Sequence, residues 1–250
     1  MRSIVKSASN INIMLTNEYF EAGFQKLRDS GLSTFHFPMI KTKSVINEIK
    51  INLDLIDCII FVSKNGVRYF FENENTKKYD LSNKYFVCIG KKTANKLIKM
   101  GYKPGYICGK NYSMEMSKEL KINKVLESKK SLLVQGTLSN PMFYNSLSKF
   151  STVKKEVFYQ TIKTKKESKQ IKMLSQKNKP YVVFSSPSAF EAFSSLYNPK
   201  DFHIISIGRT TSAAIEKNGF RPELTSKMQT YEGISESLLK FLKNYNYEIS

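Results

Sequence analysis

The sequence predicts an α/β protein with parallel sheets, present as two copies of one domain type. Short apolar runs alternate with segments of helical period along the whole chain. A set of three motifs from the middle of the chain recurs, in the same order, near its end. The 250 residues, 41% hydrophobic and 12% aromatic, suffice for one large or two medium cores.

Residues 11–16 read as a strand, after which Phe20, Phe24 and Leu27 fall at i, i+4 and i+7 on one helix face. Gly31 follows as the stop, where a left-handed residue is wanted. Further strands are expected at 33–38, 57–62, 85–89, 131–135, 180–184 and 203–207, with helices between most of them. Tyr69, Phe70 and Phe71 occupy mixed faces of a helix and belong mostly to the core. Residues 153–162 are β-branched and extended, without helical period. In 161–180, Lys163, Lys165, Lys166, Lys169, Lys172, Lys177 and Lys179 face Glu167 alone. With Ile171, Met173 and Leu174 as a thin apolar stripe, that stretch reads as a solvated helix face.

The repeat is the most informative feature. Ile59-Ile60-Phe61-Val62-Ser63-Lys64-Asn65-Gly66-Val67 is echoed by Val182-Val183-Phe184-Ser185-Ser186-Pro187-Ser188-Ala189-Phe190. Ile89-Gly90-Lys91-Lys92-Thr93-Ala94, with Gly101 and Pro104, is echoed by Ile207-Gly208-Arg209-Thr210-Thr211-Ser212, with Gly219 and Pro222. Ser113-Met114-Glu115 is echoed by Thr230-Tyr231-Glu232. A period of about 120 residues signals duplicated domains rather than a solenoid.

Each copy places an apolar strand before Ser63 or Ser186 and a helical pattern after it. The carboxyl end of a parallel strand is where open α/β sheets bind ligands. A serine there can cap the helix, while free N–H groups and the positive dipole end favour an anion. Pro187 suits the first turn, where its missing N–H costs nothing. Gly90 and Gly208 end the next strands, with Thr93 and Thr211 in the following first turns. These are either well-capped βα turns or two anion-binding rims, one per domain. Their duplication favours the rims, which can then face one another across a cleft.

Composition excludes several chemistries. His36 and His203 each lie in an apolar, strand-like stretch, which disfavours a histidine triad or a histidine-rich metal site. Cys58, Cys88 and Cys108 are widely spaced without a CxxC pair and fit a reducing cytoplasm. The chain has no GxGxxG, P-loop, HExxH or EF-hand loop. The apolar run Cys58–Val62 is too short to cross a bilayer. Arg2 and Lys6 precede no apolar stretch of signal-peptide type, so the first ten residues read as a short frayed leader, or as an organellar remnant. The expectation is a soluble, cytoplasmic chain.

Lysine and arginine total 40 against 21 acidic residues, a net charge of +19, and only five of the basic residues are arginine. That balance suits a polyanion, nucleic acid included, or reflects compositional drift toward lysine, asparagine and isoleucine. No exposed sheet with interleaved aromatic and basic residues is apparent for base stacking.

Taken in order, Phe-x-Ser-x-Asn-x-Val at 61–67, Ile-Gly-x-x-Thr-Ala at 89–94, the extended stretch reaching Tyr159, Phe-Ser-Ser-Pro-Ser-Ala at 184–189 and Ile-Gly-x-x-Thr at 207–211 resemble the uroporphyrinogen-III synthase family. Thr-Tyr-Glu-Gly-Ile at 230–234 is similar to the family's ending, so the resemblance runs from about residue 11 to residue 243. It implies two similar flavodoxin-like α/β domains joined by a two-stranded β linker. One domain would comprise 1–36 with 163–250, and the other, inserted, 42–156. Residues 37–41 and 157–162 would be the linker strands.

The resemblance also implies a reaction. The linear tetrapyrrole hydroxymethylbilane closes to uroporphyrinogen III, with ring D inverted and water lost. Hydroxyl departure gives an azafulvene cation, then a spiro intermediate. No cofactor or metal is implied. The partner is this small polycarboxylate rather than nucleic acid or membrane, and the expected state is a monomer. Tyr159 matches the family's linker tyrosine and would assist hydroxyl departure as a proton donor, unless it is merely a packed linker residue. Ser63, Thr93, Ser186 and Thr211 match cleft positions that would hold carboxylates, with Lys64, Asn65 and Ser188 as further candidates. The chain departs from the family at Val62, where threonine is common, at Thr16-Asn17-Glu18, where Thr-Arg-Pro is frequent, and at Gln135-Gly136, where Arg-Gly is common. On this reading most of the charge is background lysine.

Overall fold

The computed structural model describes residues 6–7, 11–45, 51–109, 113–244 and 247–248. Apart from Lys6 and Ser7, the expected leader lies outside the described residues. The chain divides into two compact units, Met1–Lys41 with Ile162–Ser250 and Thr42–Thr161.

The first unit is built on five parallel strands: β2 (Asn12–Leu15), β3 (Ser33–His36), β10 (Tyr181–Phe184), β11 (His203–Ser206) and β12 (Leu224–Thr225). Its helices are α1 (Gln25–Asp29), α6 (Lys169–Lys177), α7 (Pro187–Ser194), α8 (Arg209–Lys217) and α9 (Tyr231–Lys243). A short pair, β1 (Lys6–Ser7) with β13 (Tyr247–Glu248), stands apart from that sheet. The second unit contains β4 (Ile40–Ser44), β5 (Cys58–Phe61), β6 (Tyr85–Ile89), β7 (Tyr106–Cys108), β8 (Lys130–Gly136) and β9 (Thr152–Lys163). Its helices are α2 (Lys64–Glu72), α3 (Lys91–Lys99), α4 (Ser113–Ile122) and α5 (Pro141–Leu147).

The sheets run β12-β11-β10-β2-β3 and β4-β9-β8-β5-β6-β7. In chain order the first unit reads 2-1-3-4-5, the flavodoxin arrangement. The second has the same spatial order with β4 added at the edge, but its strands equivalent to β2 and β3, namely β8 and β9, come last. One spatial pattern is thus threaded in two ways, and the chain passes between the units in β4 and β9. β9 is continuous over 12 residues, so 157–162 belong to the same strand as the stretch before them.

β5 and β10 are buried along their whole length, as strands covered on both faces must be. The repeat is visible in their packing. Phe61 meets Phe70 edge-on at 5.3 Å, and Phe184 meets Phe193 edge-on at 5.3 Å. Tyr69 and Phe70 are buried and Phe71 partly so, as expected.

Every strand expected from the apolar runs and the extended stretch 153–162 is present with its ends within two residues, and Gly31 stops α1 at φ +77. Two helical expectations need correction. The helix expected to begin at Phe20 starts as a 3-10 turn at Ala22, because Glu21 is extended at φ −103. Phe24 and Leu27 still point into the core, while Phe20 lies before the helix. In 161–180, β9 runs to Lys163 and α6 occupies only Lys169–Lys177. There Ile171 is buried, whereas Met173 faces solvent.

Candidate active site

The two serines singled out by the repeat adopt nearly the same conformation. Ser63 has φ −156 and ψ 156, and its Oγ accepts from the Gly66 N–H at 2.9 Å. Ser186 has φ −160 and ψ 157, and its Oγ accepts from the Ala189 N–H at 3.2 Å. Each sits just past its strand, β5 or β10, and caps the following helix. Pro187 occupies the first turn of α7.

On the neighbouring strands, Gly90 caps α3 in the left-handed region at φ +81, and Gly208 caps α8 in extended backbone. A Cβ at Gly208 would stand 2.5 Å from the Gln229 side chain, so contact rather than backbone conformation calls for glycine there. Thr93 and Thr211 follow in the first turns, only 4% and 3% exposed. Thr230 caps α9 by accepting from the Gly233 N–H at 2.9 Å, and α4 begins at Ser113, next to residues outside the description. Each unit therefore aligns three helix N-termini along the carboxyl ends of adjacent parallel strands. Unpaired N–H groups and aligned peptide dipoles there favour carboxylates.

The third position of the first unit is electrostatically different. Burial pushes the Tyr231 phenol up to about 12, and Glu21, Glu232 and Glu18 push in the same direction against a hydrogen bond from Ser185. The chain's own carboxylates thus already stand near that helix end. The Thr-Tyr-Glu motif marked Glu232, but nothing local in sequence links it to Glu18 and Glu21.

Tyr159 lies on β9 with its Oη 3.1 Å from Ser63 Oγ. Its ring stacks on that of Tyr69, centroids 5.4 Å apart at 19°, and Tyr69 Oη donates to Thr42 Oγ1 at 3.0 Å. Ser63, half-buried Lys64 and Asn65, and Tyr159 are thereby gathered within one unit. In the other unit Ser186 and Ser188 share a hydroxyl hydrogen bond of 3.1 Å. Thr93 and Thr211 stand one helix along from these serines. Tyr69 was missed as a site residue because an aromatic on an amphipathic helix reads as core, which it also is.

At the departures from the family pattern, Asn17 uses its amide to donate to the Tyr19 carbonyl, and Gln135 is buried on β8. Both histidines have structural partners. His36 Nε2 donates to the Asn17 carbonyl at 2.8 Å, and His203 Nδ1 lies 2.7 Å from Glu223 Oε1. Cys58, Cys88 and Cys108 are free and buried, and burial pushes the Cys58 and Cys88 thiols up to about 12. Among the described residues no group of three His, Cys, Asp or Glu could hold a metal ion, and no helix is long and apolar enough to cross a membrane.

The family model of uroporphyrinogen-III synthase HemD matches residues 24–236 of this chain. The chain belongs to the uroporphyrinogen-III synthase family. A relative from Methanocaldococcus jannaschii, assigned the same synthase activity, is 29% identical over 225 residues, which cover 84% of this chain and 89% of the relative. The crystal structure of uroporphyrinogen-III synthetase from Helicobacter pylori is similar over 92% of this chain and 99% of its own, with TM-score 0.69 and 19% identity. A mutant uroporphyrinogen III synthase from Thermus thermophilus is similar over 94% and 99%, with TM-score 0.60 and 16% identity. At these identities the two structures show the fold. Family membership makes the chain a cyclising lyase of porphyrin biosynthesis that needs no cofactor, rather than a basic nucleic-acid-binding module.

Proposed function

We propose that the chain closes hydroxymethylbilane to uroporphyrinogen III with Tyr159 as the proton donor at the leaving hydroxyl. The observation that carries this reading is the Tyr159 Oη–Ser63 Oγ bond of 3.1 Å at the N-terminus of α2. It puts a phenolic proton at the rim where a polycarboxylate would be held. In the first step the hydroxymethyl C–O bond breaks, and the oxygen leaves as water with the Tyr159 proton. The substituted carbon of ring D then attacks the exocyclic methylene of the azafulvene cation, forming the C–C bond of the spiro intermediate. Rearrangement and closure invert ring D, and loss of one ring proton restores the balance. The overall change is substrate to product plus water, without net oxidation or reduction, and no metal or cofactor takes part.

A phenol has a pKa of about 10 in water and is a weak acid near neutrality, so placement must supply the advantage. Acetate and propionate groups on every ring give the substrate its negative charge. Ser63, Thr93, Ser186 and Thr211, with Lys64, Asn65 and Ser188, hold these groups together with neighbouring backbone N–H groups. On this reading the chain acts as a cytoplasmic monomer on a small molecule, without nucleic acid or membrane. On the same reading the domains are 1–36 with 163–250 and an inserted 42–156, with 37–41 and 157–162 as the linker between them.

Replacing Tyr159 by phenylalanine tests the role of the phenol. General-acid catalysis contributes about 10²–10⁴-fold, so kcat should fall within that range while KM changes little. Unchanged turnover would remove Tyr159 from the chemistry.

A further inference from the structure

We infer that Gly136, Ser63 and Tyr69 form a seat that fixes the Tyr159 phenol, with Gly136 its decisive member. The inference deepens, and rests on, the reading of Tyr159 as the proton donor.

The first observation is a break in strand register. β8 and β9 pair in step up to Gln135 with Val157, and the next pair is Gly136 with Tyr159, so Phe158 is left over as a bulge. Phe158 turns into the core, 2% exposed, with its ring 5.2 Å from that of Phe70. Bulges re-aim the side chains beside them, and this one brings Tyr159 directly opposite Gly136.

The second observation concerns Gly136 itself. Among the described residues, the glycines with left-handed backbone are Gly31, Gly90, Gly101 and Gly219, so the conformation at 136 does not demand glycine. Space does. A Cβ there would stand 2.5 Å from Tyr159 Cζ and 2.9 Å from its Oη. The nearest obstacle is thus the hydroxyl-bearing end of one side chain. Alanine would displace that end and leave the backbone alone.

Ser63 and Tyr69 complete the seat. Tyr69 lies against the phenol ring and is itself tied to Thr42. Ser63 Oγ already accepts from the Gly66 N–H, so its own hydrogen can be donated to Tyr159 Oη. That donation strengthens as Tyr159 gives up its proton and charge grows on its oxygen. The duplicated unit is built differently at the matching place. Its serine, Ser186, bonds instead to Ser188 on the same helix, and the repeat places buried Ala192 where Tyr69 stands. The two rims have diverged at this point. Gly136, Ser63 and Tyr69 are positioning residues acting through Tyr159.

The test uses the full chain. Gly136→Ala should fold with a thermal midpoint within a few degrees of the parent. Its kcat should fall about 100-fold, the effect of a displacement near 1 Å, with KM little changed. In a Tyr159→Phe background the same substitution should cost less than twofold, because nothing remains to misplace. With ¹³Cζ-labelled tyrosine, the Tyr159 resonance, identified by its loss in Tyr159→Phe, should shift in Gly136→Ala. Its titration midpoint should rise in Ser63→Ala. Full turnover in Gly136→Ala with an unmoved resonance overturns the seat. So does an equal loss in both backgrounds, or failure of Gly136→Ala to fold. A shifted resonance with full turnover in Tyr159→Phe would keep the seat and dismiss the donor.

Discussion

Raising the pH from 9 to 11 should selectively weaken the unit formed by Thr42–Thr161, through Cys58 and Cys88. These thiols lie on adjacent strands, β5 and β6, and neither is exposed. Burial raises both from 9.0 to about 12; at Cys58 the nearby Ser131 hydroxyl and the Lys129 charge oppose it. Below pH 9 both thiols are neutral, folded or unfolded, and their contribution is constant. Above it the unfolded chain releases two protons that the folded chain keeps until about pH 12. Stability is therefore lost across that window, at about 1.4 kcal/mol per pH unit for each thiol. By pH 11 the pair would cost about 5 kcal/mol, against a total of roughly 5–15 kcal/mol for a typical domain. Urea unfolding followed by circular dichroism, with the parent and Cys88→Ala compared from about pH 8 to 11, isolates one thiol. Discharge of the lysines is common to both chains and cancels. The variant should lose about 2 kcal/mol less than the parent between pH 9 and 11. Parallel curves for the two chains would refute the reasoning.

Two further outcomes follow from the same geometry. Ser186→Ala should cost about 1 kcal/mol in urea unfolding through loss of the α7 cap, with Ser186→Asp retaining most of it; an unchanged midpoint would show that the cap contributes nothing. In the native protein a thiol reagent near neutral pH should modify none of Cys58, Cys88 and Cys108, as read by mass spectrometry, and all three after denaturation. A native adduct at any of them would contradict their burial.

The central strands were legible because β5 and β10 are covered on both faces and so spell continuous apolar runs. Edge strands were not. β7 has three residues and β12 two, and half-exposed Ile107 breaks the only apolar signal β7 could offer. The capping serines were legible because a cap is a local event, fixed by a residue and the turn after it. The Ser63–Tyr159 bond joins residues 96 apart in sequence, so each could be chosen as a candidate without the two being connected. Gly136 appeared only as half of a turn that differs from the family. Its reason for being glycine lies across the sheet on β9. The acidic surroundings of Tyr231 likewise come from Glu18 and Glu21, far away in the chain.

The reading of the active site stands or falls on the isomer that forms. Purified protein would be incubated with freshly generated hydroxymethylbilane, and the products oxidised and separated by chromatography. Uroporphyrinogen III, with ring D inverted, should form faster than spontaneous closure yields the symmetrical isomer I. Isomer I alone, at the rate seen without protein, would contradict it.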